Sequence, residues 1–231
     1  MNTLDYQLKY RRNLPHIQPK NATLFVTFRL HNSIPLHVLK AQQEQKRLAE
    51  EQAGCINDPL ARKSALYLEQ KRHFGRYDRY LDAAQYGPKW LGDPRIAEIL
   101  AKSFHYRDEV VYRLDAFCIM SNHAHIVFAP LEIKATIDED AEQSDNATMS
   151  GTNEYHSISS IMQSLKRYTA QESNVLLGRT GQSFWQVESY DHVVRDLAEW
   201  RRIIMYVLNN PVKAGLVASY EQWSWSYCKY L

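Results

Sequence analysis

Cysteine is scarce in this 231-residue sequence, and it never occurs in the closely spaced pairs that bind metals or exchange disulfides. The three cysteines, Cys55, Cys118 and Cys228, form no C-x-x-C motif, and an odd number cannot all pair within one chain. This pattern favours reduced thiols in the cytoplasm over a secreted scaffold held by disulfides.

Long apolar runs and glycine-rich loops are also absent. No stretch approaches the ~18 consecutive apolar residues that cross a bilayer, and residues 1–20 are polar and basic without the apolar core of a signal peptide. We therefore expect a cytoplasmic protein that is neither exported nor associated with a membrane. Because the sequence has no glycine-rich phosphate-binding loop, we expect no nucleotide cofactor.

The composition is that of a folded protein. Hydrophobic residues make up 45% of the chain and aromatic residues 12%, with 15 tyrosines, whereas disordered chains are poor in both classes. A chain of 231 residues is long enough for one well-buried core and short for two ordinary domains. We expect a single domain over residues 1–231, and no internal repeat is visible.

The net charge of +2 hides an uneven distribution of charge. Residues 131–155 contain seven acidic side chains and one lysine, so the remainder of the chain has 27 basic against 19 acidic residues. A basic body suits a polyanionic partner such as nucleic acid, although many ordinary proteins are as basic. Residues 131–155 are also aperiodic, which predicts a flexible acidic insertion.

The first half of the chain predicts one strand followed by helices. Residues 22–30 alternate with the period of a half-buried strand. Residues 36–83 are rich in helix-forming residues, and Gly54 and Asp58-Pro59 divide them into two helices. A third helix begins at Pro94, with Asp93 as its N-cap, and runs to about residue 105. Residues 36–105 are thus predicted to be a helical elaboration.

The second half predicts a hairpin and two further helices. Residues 110–119 and 123–129 are strands separated by a connection short enough for a hairpin. A short strand is predicted near residues 184–186, and a last helix begins at Asp196 and ends by Pro211. Between them, residues 157–173 place five larger side chains at helical spacing: Ile158, Ile161, Met162, Leu165 and Tyr168.

Two histidines share one face of the second predicted hairpin strand. Side chains alternate along a strand, so His123 and His125 project from one side while Ala124 and Ile126 point to the other. Neutral imidazole is a common ligand of divalent metals, and such a pair on a rigid strand predicts a two-ligand metal site. Two half-exposed histidines with no ligand explain the same pattern.

The last helix carries a tyrosine and an asparagine beside its apolar stripe. Tyr206 lies on the flank of the stripe, and Asn210 lies one turn further along the same face. A tyrosine at the edge of the core and an asparagine that ends the helix explain this pattern equally well. Asp196 and Glu199 form a capping box, and the stripe itself consists of Trp200, Ile203, Ile204, Val207 and Leu208.

Four segments occur in a characteristic order: MSNHAHIV at 120–127, FWQ at 184–186, YDHVVRD at 190–196 and YVLNNPVKAGLV at 206–217. Together they resemble the REP-associated tyrosine transposases, a family of single-tyrosine HUH nucleases. Residues 21–30 and 88–96 add to the similarity, which covers most of the chain apart from the acidic insertion and parts of residues 36–83.

The resemblance implies an α+β fold with a ferredoxin-like antiparallel sheet, packed helices and the helical insertion. It implies that Tyr206 is the catalytic nucleophile and that Asn210 is the third metal ligand beside His123 and His125. We expect Mg²⁺ or Mn²⁺ as the cofactor, since a site of neutral ligands leaves the charge of the ion available to a phosphate.

The implied activity is that of a DNA transposase and endonuclease, and the expected partner is single-stranded or hairpin DNA. Attack by Tyr206 on a DNA phosphate would give a 5′-phosphotyrosine and a free 3′-hydroxyl, and a second 3′-hydroxyl could reverse the step and join new strands. The chain would act as a monomer or a homodimer.

Further residues are candidates for contact with DNA or for support of the metal ligands. His192 is a candidate to orient a ligand, although a structural histidine explains it as well. The candidates for phosphate contact or base stacking are Lys166, Arg167, Arg195, Lys213, Trp185 and Tyr190.

Two other functions remain open at this point. One is a domesticated DNA-binding protein that recognises a hairpin and no longer cuts. The other is a metal-dependent phosphodiesterase that uses water as its nucleophile, in which Tyr206 only packs.

Overall fold

The computed structural model describes residues 6–11, 15–19, 22–133 and 155–231. Within these ranges the strands are β1 Tyr6–Arg11, β2 Pro15–Pro19, β3 Leu24–Arg29, β4 Tyr112–Ile119, β5 His123–Pro130, β6 Tyr190–Val193 and β7 Ser226–Cys228. The helices are α1 Leu36–Gly54, α2 Pro59–Ala83, α3 Pro94–Arg107, α4 Ile158–Leu176, α5 Leu197–Leu208 and α6 Asn210–Lys213. The flexible insertion predicted at 131–155 lies outside the described residues, except at its two ends.

The fold is α+β, with a five-stranded antiparallel sheet in the order β6-β3-β5-β4-β7. Strands β1 and β2 form a separate antiparallel hairpin. Apart from α1 and α2, the elements from β3 to β6 follow one another along the chain as β3-α3-β4-β5-α4-β6. This order brings β3 and β5, which are almost 100 residues apart in sequence, side by side at the centre of the sheet.

Helices α3 and α4 pack against one face of the sheet and enclose the larger core. From β3 this core receives Leu24, Val26, Phe28 and Leu30, as the alternation predicts. Full burial of each large apolar side chain stabilises the fold by about 1.5–3 kcal/mol, so this layer is the main source of stability. Tyr168 departs from the predicted stripe of α4, because it is exposed and the neighbouring Thr169 is buried in its place.

The second face of the sheet is also buried, so the prediction of a half-buried β3 was wrong. Phe25, on this face, packs in a smaller core with Ile204, Val207 and Leu208 from the predicted stripe of α5. Trp200 fixes the start of α5, since its indole N–H donates to Asp115 on β4 at 2.7 Å. The polar residues of β3 on this side are therefore enclosed rather than solvated.

Helices α1 and α2 form where the sequence predicts them. Asp58 caps α2, as its carboxylate accepts from the backbone N–H groups of Leu60 and Ala61. Only two of the 25 residues of α2, Asp78 and Leu81, are buried. The helix lies over the second face of the sheet beside α5, and most of its own surface remains in solvent.

Three details of the strand prediction differ from the structure. The strand expected at residues 184–186 is a single bridge between Leu30 and Trp185. The edge strands β6 and β7 were not predicted, because they are only four and three residues long and lack a clear alternation. The hairpin of β1 and β2 was not predicted either. All three cysteines are free, as expected.

Candidate functional site

The two histidines of β5 lie at the centre of the second face of the sheet. His125 is opposite Thr27 and His123 is opposite Arg29 in the register with β3. Both side chains are completely buried, which contradicts the interpretation as half-exposed histidines. Their Nε2 atoms are 3.1 Å apart. The burial on this face follows from the cover that α2 and α5 provide.

Asn122 determines which nitrogen of His123 carries the proton. The amide nitrogen of Asn122 donates to the backbone carbonyl of Leu81 at 3.1 Å, so its amide oxygen faces His123 Nδ1 at 2.7 Å. An amide oxygen only accepts, so Nδ1 is the protonated nitrogen and Nε2 carries a lone pair. In a metal-binding histidine, a hydrogen-bond partner on the far nitrogen, the ring nitrogen that does not bind the metal, orients the ring.

His125 is held in the same way by two polar neighbours. Its Nδ1 lies 2.7 Å from the hydroxyl of Thr27, and its Nε2 accepts from the amide nitrogen of Asn210 at 3.0 Å. The Nε2 atoms of both His123 and His125 are therefore unprotonated, and that of His125 accepts from Asn210. Burial lowers the pKa of His123 to about 3 and that of His125 to about 4, so both are neutral at pH 7.

Two carboxylates of α2 complete this cluster, and sequence reasoning missed both. Asp78 Oδ1 is 3.6 Å from His125 Nε2, and Asp82 Oδ1 is 3.8 Å from His123 Nε2. The two aspartates are four residues apart and so lie on one face of the helix. The four-residue spacing could have indicated that the two aspartates act together. In a polar helix, however, the same spacing is typical of a face exposed to solvent.

The donor set fits a divalent cation. Oδ1 of Asp78, Oδ1 of Asp82 and Oδ1 of Asn210 are buried and have no hydrogen-bond partner among the described residues. One oxygen of Asp78 and one nitrogen each of His123 and His125 lie within 4.8 Å of one another. Two adjacent ligands of an octahedral ion with bonds of about 2.1 Å are about 3.0 Å apart, close to the separation of the two Nε2 atoms. A divalent cation would supply the positive charge that the carboxylates and the two imidazole nitrogens lack.

Tyr206 reaches the same cluster from α5. Its hydroxyl donates to Asp78 Oδ2, while its ring packs edge-on against Phe25 and His125, with centroids at 5.9 and 5.6 Å. Burial and the carboxylates of Asp78 and Asp82 raise the pKa of Tyr206 well above its usual value. The phenol is therefore protonated at neutral pH and already in contact with a proton acceptor.

Lys213 neutralises part of the charge of the two aspartates. Its ammonium lies 3.2 Å from Asp78 and 2.6 Å from Asp82. Burial by itself would raise the pKa of Asp78, but the hydrogen bond from Tyr206 and the ammonium of Lys213 hold it below its usual value. Burial and the proximity of Asp78 raise the pKa of Asp82 to about 6. Since the histidines are neutral, the cluster carries an excess of negative charge that a divalent cation would reverse.

Three of the other predicted residues lie on α4 or in the larger core, on the opposite side of the sheet. The ammonium of Lys166 donates to the backbone carbonyls of Gln186 and Val187, and burial lowers its pKa to about 8. Trp185 is buried and donates to Thr169 at 2.9 Å. Arg167 is exposed on α4. The structure does not bring these residues to the histidine pair.

The remaining predicted residues lie on the same face as the cluster but away from the imidazole nitrogens. Tyr190 stacks on Phe74 of α2, with ring centroids 4.1 Å apart. Arg195 lies over the ring of Tyr67 at 3.5 Å. His192 faces Glu199 at 3.2 Å. The partners of the two candidate ligands are thus Asn122 and Thr27, whereas the sequence suggested His192.

The buried histidines make the stability of the protein depend on pH. In the unfolded chain the pKa of each histidine is about 6.5. Below that pH the unfolded state therefore binds two protons, whereas His123 and His125 remain unprotonated in the folded state. Asp82 acts in the opposite sense, because its raised pKa lets the folded state take up a proton below about pH 6. His73 and His192, whose pKa values are also lowered, add to the effect of the pair.

We expect stability to be lost as the pH falls from 6.5 to 4 in metal-free buffer. A net difference of one proton corresponds to about 1.4 kcal/mol per pH unit. Urea unfolding at several pH values measures the slope, and the double variant His123→Gln with His125→Gln should show a flatter profile. An equal slope in both proteins would mean that the histidine pair is not held neutral by the fold.

Among the described residues, no helix combines the length and the apolar character required to cross a bilayer. No family model matches the sequence, and no curated protein matches it. The chain is similar to a solved structure of a REP-associated tyrosine transposase bound to a REP hairpin, with 17% identity over 95% of this chain and 82% of that chain. The TM-score of that match is 0.38.

Proposed function

We propose that this protein is a divalent-metal-dependent DNA transposase and endonuclease that cuts and rejoins single-stranded DNA through Tyr206. One observation carries the proposal: the hydroxyl of Tyr206 contacts a buried carboxylate, Asp78, whose other oxygen lies close to the unprotonated Nε2 atoms of a pair of neutral imidazoles. A nucleophile beside a proton acceptor and a cation site is the arrangement that phosphoryl transfer to a tyrosine needs.

The metal would be held by His123, His125 and the carboxylate of Asp78, and by the amide oxygen of Asn210 once that amide, whose nitrogen faces His125 Nε2 in this structure, has turned toward the ion. Mg²⁺ or Mn²⁺ suits a site that combines imidazole with oxygen ligands. Bound there, the ion would act as a Lewis acid on the phosphate. Asn122 and Thr27 support the proposal, because each holds the far nitrogen of one imidazole.

The positions of Tyr206 and Asp78 support the following reaction. The phenol oxygen attacks phosphorus and its proton passes to Asp78, while the bond from phosphorus to the 3′ oxygen breaks and that oxygen leaves as a hydroxyl once it takes up a proton. The product is a 5′-phosphotyrosine, so the energy of the phosphodiester is retained. Attack by another 3′-hydroxyl reverses the step and joins strands without ATP.

We also propose that the core is ferredoxin-like, as in HUH endonucleases, within a single domain over residues 1–231. The order β3-α3-β4-β5-α4-β6, with β6-β3-β5-β4 adjacent in the sheet, is consistent with this topology. In this interpretation α1 and α2 are inserted between the first strand and the first core helix. Helix α3, which the sequence assigned to the insertion, belongs to the core because it packs against α4 and β4.

The proposal is tested by mapping the covalent adduct. The protein is incubated with Mn²⁺ and a pool of labelled hairpins with randomised single-stranded flanks, and we expect a DNA-linked band on a denaturing gel. After nuclease and trypsin digestion, the nucleotide mass should lie on the peptide of residues 203–213, in which Tyr206 is the one tyrosine. Cleaved DNA with no adduct, or an adduct on another tyrosine, would contradict the proposed nucleophile.

A further inference from the structure

A cavity of about 400 Å³ lies between α1 and α2, on the side of α2 away from the histidine pair. Its volume is within the range of about 300–1,000 Å³ found for small-molecule sites. Its polar lining comes from Gln42, Gln45, Arg76, Arg79, Tyr80 and Gln85. The lining thus provides carboxamides, guanidinium groups and one phenol, and it contains no carboxylate.

Gln42 is the unusual member of this lining. Its side chain is 95% buried, and neither its amide oxygen nor its amide nitrogen has a hydrogen-bond partner among the described residues. An unpaired buried amide destabilises a protein unless something else supplies its partners. Arg76 repeats the pattern, because its Nε is also buried without a partner while its terminal nitrogen pairs with Glu69.

Arg79 and Tyr80 provide an exposed cation and an exposed ring at the rim. Arg79 forms no ion pair with a carboxylate within the described ranges, and Tyr80 is 44% exposed. A free guanidinium binds phosphate oxygens, and an exposed phenol ring offers a surface on which a base can stack. The rim and the floor of the cavity thus present complementary groups for the parts of a nucleotide.

We propose that this cavity binds one unpaired nucleobase of the DNA strand, with Gln42 reading the edge of the base. A glutamine amide offers one acceptor and two donors side by side, which matches the paired donor and acceptor of a base edge. The inference rests on the proposed function, since it assumes that the substrate is a DNA strand. The contact between Gln42 and the base would then select the sequence next to the cleaved phosphate.

The position of the cavity fits this role. Arg79 and Ala83, which line it, directly follow Asp78 and Asp82 on α2. The cavity and the catalytic cluster therefore lie on two sides of one helix, whose diameter with side chains is about 10–12 Å. A strand that crosses α2 can place a base in the cavity and a neighbouring phosphate near Tyr206.

The test measures binding in the Tyr206→Phe background, so that cleavage plays no part. Fluorescence anisotropy gives the Kd of short labelled single strands that differ only in the base at one unpaired position. We expect a preference for one base, and we expect Gln42→Leu to weaken the preferred strand about tenfold or more and to remove the preference. Gln43→Leu, which changes an exposed neighbour on α1, should change neither.

Two further measurements keep the result interpretable. The thermal midpoint of Gln42→Leu should equal or exceed that of its parent, because an unpaired buried amide is replaced by an apolar side chain of similar size. Arg79→Ala should weaken all strands by a similar factor and keep the base preference, as expected for a phosphate contact.

The outcomes separate this inference from the proposed function. If Gln42→Leu keeps the base preference of its parent, or if the parent shows no base preference, the inference is wrong, whether or not Tyr206 forms an adduct. If no adduct forms on Tyr206 but the base preference depends on Gln42, the proposed nuclease function is wrong and the cavity is still a base-binding site.

Discussion

Tyr206→Phe is expected to abolish the covalent protein–DNA adduct and to lower strand cleavage by at least ~10³-fold, the scale seen when a catalytic nucleophile is removed. The substitution deletes only the hydroxyl, so the ring keeps its contacts with Phe25 and His125. Folding should persist with a loss of about 1 kcal/mol, because Asp78 loses one hydrogen-bond donor and keeps Lys213. Single-turnover cleavage with Mn²⁺, followed on denaturing gels, measures the effect.

Tyr168→Phe is the matched control, since that tyrosine is exposed on α4 behind the sheet. It should cleave and form adducts like the wild type. Cleavage by Tyr206→Phe within tenfold of the wild type, without an adduct, would identify a water-using phosphodiesterase instead. Binding of DNA by the wild type without cleavage under any metal would favour a domesticated DNA-binding protein.

The second large effect is expected from the histidine pair. His123→Ala and His125→Ala should each lower the affinity for Mn²⁺ by at least ~100-fold and remove metal-dependent cleavage, because each deletes one buried ligand whose far nitrogen is already held in place. Isothermal titration with Mn²⁺ measures the affinity directly. An independent readout is the thermal midpoint, which Mn²⁺ should raise in the wild type and not in the variants.

Two substitutions show whether the effect belongs to metal binding. Asn122→Leu keeps both ligands but frees His123 Nδ1, so we expect an intermediate loss of about 10–100-fold in Mn²⁺ affinity. His192→Gln removes a histidine that faces Glu199, and it should leave the affinity unchanged. If His192→Gln weakens Mn²⁺ binding as much as His125→Ala, the metal does not bind where we propose.

The parts of the site that lie on regular elements could be predicted from the sequence. Alternation along β5 places His123 and His125 on one face, and the apolar stripe of α5 fixes the side on which Tyr206 lies. Both depend on local periodicity, which a single sequence reveals. Asn210 occupies the first turn of α6, close enough to His125 to form a hydrogen bond.

The parts that depend on long-range contacts could not be predicted. Asp78 reaches His125 from 47 positions earlier in the chain, and it does so from a helix whose residues are largely polar and exposed. A buried carboxylate on such a helix looks like any solvated charge until the packing is known. Thr27 was missed for a similar reason, since its contact with His125 follows from the register of β3 against β5.

Helix α2 also has a kinetic consequence. It covers two imidazoles that are completely buried, so a phosphate can reach them only after α2 has moved away, and α2 must close again to bring Asp78 back to Tyr206. Its attachment combines polar contacts, such as Tyr67 with Glu199, with the packing of Phe74 on Phe25, so its separation from the sheet would expose the smaller core and leave the larger one covered. The frequency with which α2 opens then sets an upper limit on turnover, whatever the speed of the chemical step. Hydrogen exchange along α2 reports that frequency directly.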